Sequence, residues 1–236
     1  MMKIGSEKWR NMIYEGAKSL GIRIDSREIE KFSIHALELI KWNRKINLTA
    51  ITDPMEVAVK HFLDSMAPVP DISPNASLLD IGSGGGFPGI PIKICLPSVP
   101  VTLIDGSRKK VNFLKHMIRT LGLENIYAFH IRAEDFAENP VTVRHFNVII
   151  SRALSSMTAF VRTAIPFLHK DGVIIAMSGN ISDHDIHMLR STVNKRRCGA
   201  NNENTERFEL QVKRYALPYL NSDRSLVYLK KLKAQG

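Results

Sequence analysis

Asp80 closes the apolar run Leu78-Leu79, and behind Ile81 stand Gly82, Gly84, Gly85, Gly86 and Gly89, with Phe87 and Pro88 among them. Glycines turn a backbone through positive φ and let a ligand touch the main chain. A proline opening the next helix loses nothing by lacking an N–H, and a helix N-terminus favours a phosphate or an amino-acid carboxylate. The stretch reads as a strand, a turn and a helix built for an adenosine-bearing cofactor. Two registers compete. Gly84, Gly86 and Gly89 satisfy the G-x-G-x-x-G of nicotinamide dinucleotide sites. Asp80, Gly82, Gly84 and Gly86 satisfy the acid-G-x-G-x-G loop of S-adenosylmethionine enzymes. In a dinucleotide site the first glycine follows the strand directly. Here that glycine is Gly82, which puts Phe87 at the third fingerprint position and breaks it.

Other residues add chemistry around that turn. Asp105 ends a second apolar run and is placed to accept hydrogen bonds from ribose hydroxyls, or to cap the helix entered at Gly106-Ser107. Ala133-Glu134-Asp135 follows a third run, at the turn beside which adenine lies in such folds. Arg132 ends the third strand and Arg152 the fourth, on the presumed ligand side. The Arg152 guanidinium is suited to a cofactor carboxylate or a guanine O6 edge, and Arg132 to a phosphate or a base. His61 and Asp64 share a helix face, as a wall of the site or as a local hydrogen-bonded pair. No metal is expected, because no further ligands accompany them and Cys95 and Cys198 are the only cysteines. The same scarcity points to reduced thiols in an intracellular protein, not to a disulfide framework.

These residues need a frame. The first ~70 residues read as a helical N-terminal extension (1–70). Asp25 and Glu28 form a capping box, and Ile29, Phe32, Ala36, Leu39 and Ile40 recur at helical spacing. A third helix starts after Asp53-Pro54, and three prolines between residues 68 and 75 mark a linker. Residues 71–236 then alternate strands (77–81, 101–104, 126–131, 147–150, 173–177) with helices (90–96, 108–121, 156–168, 183–195). Such alternation builds a mostly parallel sheet. Two last strands, 208–217 and 225–231, have no helix between them and should pair antiparallel. The expected fold is α/β: a Rossmann-like, seven-stranded, mostly parallel sheet ending in an antiparallel hairpin, as in class I methyltransferases. The polar stretch 194–207 reads as a loop.

The chain has 236 residues and a formal charge of +10, with mean hydropathy −0.10. That surplus suggests a polyanionic partner. No run reaches the ~18 apolar residues of a membrane span, and no signal peptide is legible. Basic residues cluster at Lys41-Arg44-Lys45, Arg108-Lys109-Lys110-Lys115, Lys195-Arg196-Arg197 and Lys230-Lys231-Lys233.

Between Trp42 and Leu232 the motifs Asn47-Leu48-Thr49, Lys60-His61-Phe62-Leu63-Asp64-Ser65, Asp80 through Ile92, Asp105 with Lys109-Lys110, Arg132-Ala133-Glu134 and Ser151-Arg152-Ala153 stand in order. In this order and spacing the chain resembles the bacterial 16S rRNA (guanine-N7) methyltransferase G family, also called glucose-inhibited division protein B. The resemblance implies S-adenosylmethionine as methyl donor and guanine N7 in 16S rRNA of the small ribosomal subunit as acceptor; a cytoplasmic location is expected, and a monomer, though no coiled coil or apolar patch is legible to set the oligomeric state. It implies that Gly82, Phe87, Ala133, Glu134 and Arg152 line the cofactor site. One departure stands at Ser178-Gly179, where a lysine is expected before the glycine. Methylation at N7 asks for no general base, since that nitrogen carries a free lone pair and no proton. The absence of an Asn/Asp-Pro-Pro-aromatic motif or a cysteine after the fourth strand speaks against amino-nitrogen and cytosine-C5 chemistry. The alternatives are an NAD(P)-dependent oxidoreductase and a non-catalytic RNA-binding assembly factor.

Overall fold

The computed structural model describes residues 2–133, 135, 145–152, 156–194, 208–220 and 222–232. Glu134, Ala153, Cys198, Lys233 and the polar stretch 195–207 with its basic run lie outside the described residues.

Among the described residues the strands β1 (Leu78–Ile81), β2 (Val101–Asp105), β3 (Ile126–His130), β4 (Phe146–Arg152), β5 (Leu168–Ser178), β6 (Phe208–Ala216) and β7 (Asp223–Lys231) form one seven-stranded sheet of order β3-β2-β1-β4-β5-β7-β6. The first five run parallel, β7 pairs antiparallel with β5, and β6 with β7. The strand order reverses between β2-β1 and β4, which opens a crevice at the carboxyl ends of those strands.

Both faces of the sheet are covered, so the central strands are apolar throughout and their side chains alternate between two cores. Leu78, Leu103, Val148, Ile150 and Met177 face one core. Leu79, Ile104, Ile149, Ile174 and Ala176 face the other. The first core takes the helices α1 (Glu7–Ser19), α2 (Ser26–Asn43), α3 (54–66), α4 (Gly89–Cys95) and α5 (Arg108–Thr120). The second takes α6 (Met157–Ala164) and α7 (Asp183–Asn194).

The capping box at the start of α2 is formed as expected: the Asp25 carboxylate accepts from Arg27 N and Glu28 N, and Glu28 reaches back to Asp25 N. Helix α3 is less regular than its sequence suggests. Its first turn, Pro54–Glu56, is capped by Asp53, its middle Val57–Leu63 is π-helical, and Asp64–Met66 closes it. Wider π turns often sit where a helix serves a site. Helix α1 locates α3 closely. A Cβ on Gly16 would stand 2.3 Å from Leu63 Cδ1, and Trp9 Nε1 donates to Pro54 O at 2.9 Å.

Two boundaries differ from the sequence expectation by more than two residues. Helix α6 ends at Ala164 instead of reaching residue 168, because Pro166 has no N–H to continue the ladder and the next turn is 3₁₀. Strand β5 starts at Leu168 rather than 173, since Leu168 pairs with Phe146 across a register shift.

Candidate active site

The glycine turn has two sides. Gly82 and Gly84 adopt φ of 76° and 55°. A Cβ at Gly82 would meet nothing within 4 Å, and one at Gly84 only Gly82 O at 3.8 Å. These two glycines present bare main chain to open space. Gly86 and Gly89 instead serve packing: an added Cβ would lie 2.5 Å from Ile90 Cδ1 at Gly86, and 2.4 Å from Leu103 Cδ2 and 2.8 Å from Asp80 Oδ2 at Gly89.

Two acids tie the turn down. Asp80 is fully buried, and its Oδ2 accepts from Gly89 N at 2.9 Å while Oδ1 has no partner. Burial pushes its pKa up to about 7, against the pull of the Gly89 N–H. Asp105 accepts from Gly84 N through Oδ2 (3.0 Å) and from Ser107 N through Oδ1 (2.8 Å). Of its two readings from the sequence, the structure shows Asp105 tying down the turn and the helix entry, and each oxygen retains a lone pair.

Phe87 turns inward. It is 5% exposed and stacks against two imidazoles, His35 at 4.8 Å and His61 at 4.6 Å between centroids, with interplanar angles of 9° and 14°. His35 Nε2 donates to Gly85 O at 2.8 Å, so α2 holds the back of the turn. Burial lowers the His35 pKa to about 4. Burial first, then the charge of Arg152, lowers that of His61 to about 3. Both rings are neutral at physiological pH.

Arg152 ends β4 on the same face as Val148 and Ile150, as a strand period of two requires, and so points to α3. Its Nη1 donates to Lys60 O at 2.6 Å and its Nη2 to His61 Nδ1 at 3.1 Å. The Asp64 carboxylate lies 3.6 Å from Nη1. The guanidinium carbon stands 5.1 Å from the Phe87 centroid, within cation–π range. The terminal hairpin closes this cluster. Tyr215 OH donates to Asp64 Oδ1 at 2.7 Å, and Arg224 Nε lies 3.6 Å from the same oxygen. Burial and the Asp64 charge both hold the Tyr215 hydroxyl protonated.

A cavity of about 740 Å³ opens beside these groups at the carboxyl ends of β4 and β5. Lys60, His61, Asp64, Arg152, Ser178 and Arg224 contribute to its wall, with Met177, Met188 and Ile51 as apolar parts. It neighbours the glycine turn through Phe87 and Arg152 rather than including it. Of the two arginines singled out by sequence, the structure brings Arg152 to the cavity and places Arg132 elsewhere. Arg132 is exposed, with its Cγ 3.4 Å from where a Cβ on Gly106 would stand, at the β2 and β3 ends near Asp105. Ala133 is half-buried there, against the second core. Ser178, the departure from the family pattern, lines the cavity. Arg224 and Tyr215 carried no signal in the sequence, because they follow an ordinary strand pattern and reach Asp64 only through the hairpin.

Residues 28–211 match the family model of rRNA small subunit methyltransferase G. A protein named ribosomal RNA small subunit methyltransferase G from Geobacter metallireducens is 45% identical over 170 residues, 72% of this chain and 76% of that one. Its namesake from Geobacter sp. (strain M21) is 37% identical over 220 residues, 93% of this chain and 96% of that one. Among solved structures, the O-methyltransferase from Bacillus cereus in complex with SAH aligns with a TM-score of 0.60 at 17% identity, covering 95% of this chain and 99% of that one. M. jannaschii TYW2 in complex with AdoMet aligns at 0.55 with 15% identity, covering 72% and 74%. The structural likenesses carry the fold alone, which is that of Rossmann-like methyltransferases, hairpin included. With the family model spanning most of its length, the chain belongs to the rRNA small subunit methyltransferase G family.

Proposed function

We propose that the protein transfers a methyl group from S-adenosylmethionine to N7 of a guanine in 16S rRNA, as a cytoplasmic monomer acting on the small ribosomal subunit or its RNA. The observation that carries this reading is the juxtaposition of an open glycine turn with a walled cavity, joined by Phe87 and Arg152.

The turn fits an adenosine cofactor bearing an ammonium and a carboxylate. Gly82 and Gly84 leave space for a ligand against the main chain. Asp105 keeps lone pairs for ribose hydroxyls, and the buried Asp80 anchors the root of the turn through Gly89 N. Gly86 and Phe87 support this cradle from beneath, and Ala133, with Glu134 as the sequence suggests, flanks adenine. When bound, S-adenosylmethionine supplies a methyl group on a sulfonium, an electrophile that needs only an aligned nucleophile.

The cavity supplies alignment. Guanine N7 needs no base, and the described side chains fit that demand, since the His61 Nδ1 lone pair is already engaged by Arg152. Arg152 has five N–H donors. Lys60 O, His61 and Asp64 occupy at most three, which leaves donors for a guanine O6 or a cofactor carboxylate. Asp64 offsets one of the two arginine charges beside it, which lessens their repulsion of the positive charge that develops on the base. Arg132 lies where it serves a phosphate or a base at the adenine side.

The basic residues serve the RNA. Helices α2 and α5 pack together through Trp42, Phe113 and His116, so Lys41, Arg44 and Lys45 stand near the same flank as Lys115. Phosphate contacts of that kind weaken steeply with salt. The direct test is incorporation of tritiated methyl from S-adenosylmethionine into small subunits lacking the modification, followed by mapping of the methylated base. Correctly folded protein that incorporates nothing, or labels another atom, overturns the reading.

A further inference from the structure

We propose that Thr49 and His61 are positioning residues for Arg152: the Thr49 hydroxyl, bonded to Nε2, holds the His61 ring in place so that its Nδ1 lone pair aims the guanidinium. This rests on the reading of Arg152 as a group at the transfer site.

The tautomer follows from donor and acceptor roles. A guanidinium only donates. The 3.1 Å contact between Arg152 Nη2 and His61 Nδ1 therefore requires a lone pair on Nδ1. A neutral imidazole with a bare Nδ1 carries its proton on Nε2. That proton has one partner, Thr49 Oγ1 at 2.8 Å. Thr49 Oγ1 also accepts from Ile51 N at 2.9 Å, so both of its lone pairs are committed. The opposite tautomer would aim an N–H at the guanidinium, so Arg152 selects the tautomer; the Thr49 hydroxyl, which can donate as well as accept, fixes the place of the ring.

Thr49 is itself held firmly. Asn43, the last residue of α2, accepts from Leu48 N (2.8 Å) and Thr49 N (3.0 Å) through Oδ1 and donates to Thr49 O (2.8 Å) through Nδ2. The side-chain amide of Asn43 thus fixes the loop, the loop fixes the hydroxyl, and the hydroxyl fixes the ring. The ring stacks on Phe87 of the glycine turn, so it has little freedom to rotate. A motif that lies far from Arg152 in sequence, Asn47-Leu48-Thr49, acquires a role through this relay.

The experiment compares Thr49→Val with Thr49→Ser. Valine keeps the volume and removes the acceptor; serine restores it. Single-turnover methyl transfer into unmodified small subunits should fall about tenfold in kcat for Thr49→Val, with KM for S-adenosylmethionine within about twofold, as expected when a reacting geometry is loosened rather than a ligand lost. Thr49→Ser should recover most of the rate. Independently of turnover, 15N correlation spectra of the imidazoles, assigned by difference against His61→Gln, should show His61 as the Nε2–H tautomer in the unchanged chain, and in Thr49→Val the Nε2–H resonance should move upfield as its hydrogen bond is lost. Full kcat in Thr49→Val, a loss that serine fails to restore, or an unaltered His61 spectrum overturns the proposal. Arg152→Lys separates the two layers. If it is inactive while Thr49→Val is fully active, positioning fails and the reading of Arg152 stands. If Arg152→Lys is as active as the unchanged chain, both fail.

Discussion

The glycine turn and the arginine cluster sit side by side and are assembled on opposite plans. The turn is shaped largely from within, with Asp105 and His35 bracing it from outside. Asp80 holds Gly89, nine positions away, and Gly84 and Gly86 take positive φ within the same short stretch. The cluster is gathered from across the chain. Arg152 bonds a carbonyl 92 positions away, and Tyr215 reaches an acid 151 positions away. The turn is sensitive to a methyl group in the wrong place. The cluster is sensitive to the loss of one hydrogen-bonding partner, because its charges are buried and depend on one another. A local device announces itself in sequence; a long-range one does not.

That contrast can be put to experiment. The largest effect belongs to the cluster. Arg152→Lys keeps the charge but not the fork that spans Lys60 O and His61 Nδ1, and methyl transfer should fall about a hundredfold in kcat. A decrease of only a few fold would make the cluster a structural fastening. Next comes Gly89→Ala, whose Cβ would press on Leu103 and Asp80. It should lower unfolding stability in urea by about 1–3 kcal/mol. Gly82→Ala, with open space around it, should cost only the backbone strain of about 1–2 kcal/mol while weakening S-adenosylhomocysteine binding by calorimetry. Equal stability losses with no change in binding at Gly82 would erase the distinction between the two sides of the turn. Tyr215→Phe removes the hairpin's hydrogen bond to Asp64, and a loss of about 1–2 kcal/mol is expected. A silent substitution would show that the hairpin merely abuts the site.

The gentlest effect is read against pH. His35 and His61 have folded pKa values below the ordinary 6.5, so the unfolded chain takes up protons that the fold refuses. Their contribution is complete above pH 6.5 and is lost on acidification towards about 4 and 3. Asp80 acts in the other direction. Its folded pKa is raised from 3.8 to about 7, so the fold keeps a proton that the unfolded chain has released, and stability from this group grows as pH falls from 7 towards 4. Asp80→Asn removes that opposing proton. The fall in stability between about pH 6.5 and pH 4.5 should then steepen by up to about 1.4 kcal/mol per pH unit. An unchanged slope would mean that Asp80 is ionised in the folded protein.

Much of the frame was legible because its signals are short-ranged. The capping box at Asp25 and Glu28, the alternation of β1 to β5 with helices, and the hairpin after residue 208 all follow from period and spacing. The misjudged boundaries lie where tertiary pairing outweighs local preference. Leu168 ends an apolar helical pattern yet pairs with Phe146, and Pro166 had already stopped the helix. Within the site, the sequence marked Gly82, Gly84 and Asp105, which the structure joins in one turn with open space at the two glycines. What the pattern hid was the division of labour, since Gly86, Gly89 and Phe87 look the same in a motif whether they face a ligand or a core.

The amino-acid order alone determined the turn, its two acids and the sheet that carries them, because each depends on neighbours a few residues apart: a strand period, a positive φ, a cap. Only the tertiary structure decided that Arg152 rather than Arg132 joins the cavity, that His61 is an acceptor and that Tyr215 and Arg224 belong to the same group. Those facts depend on which strand end, π-helical turn and hairpin meet in space. Buried donors and acceptors find their partners only after the chain has closed around them.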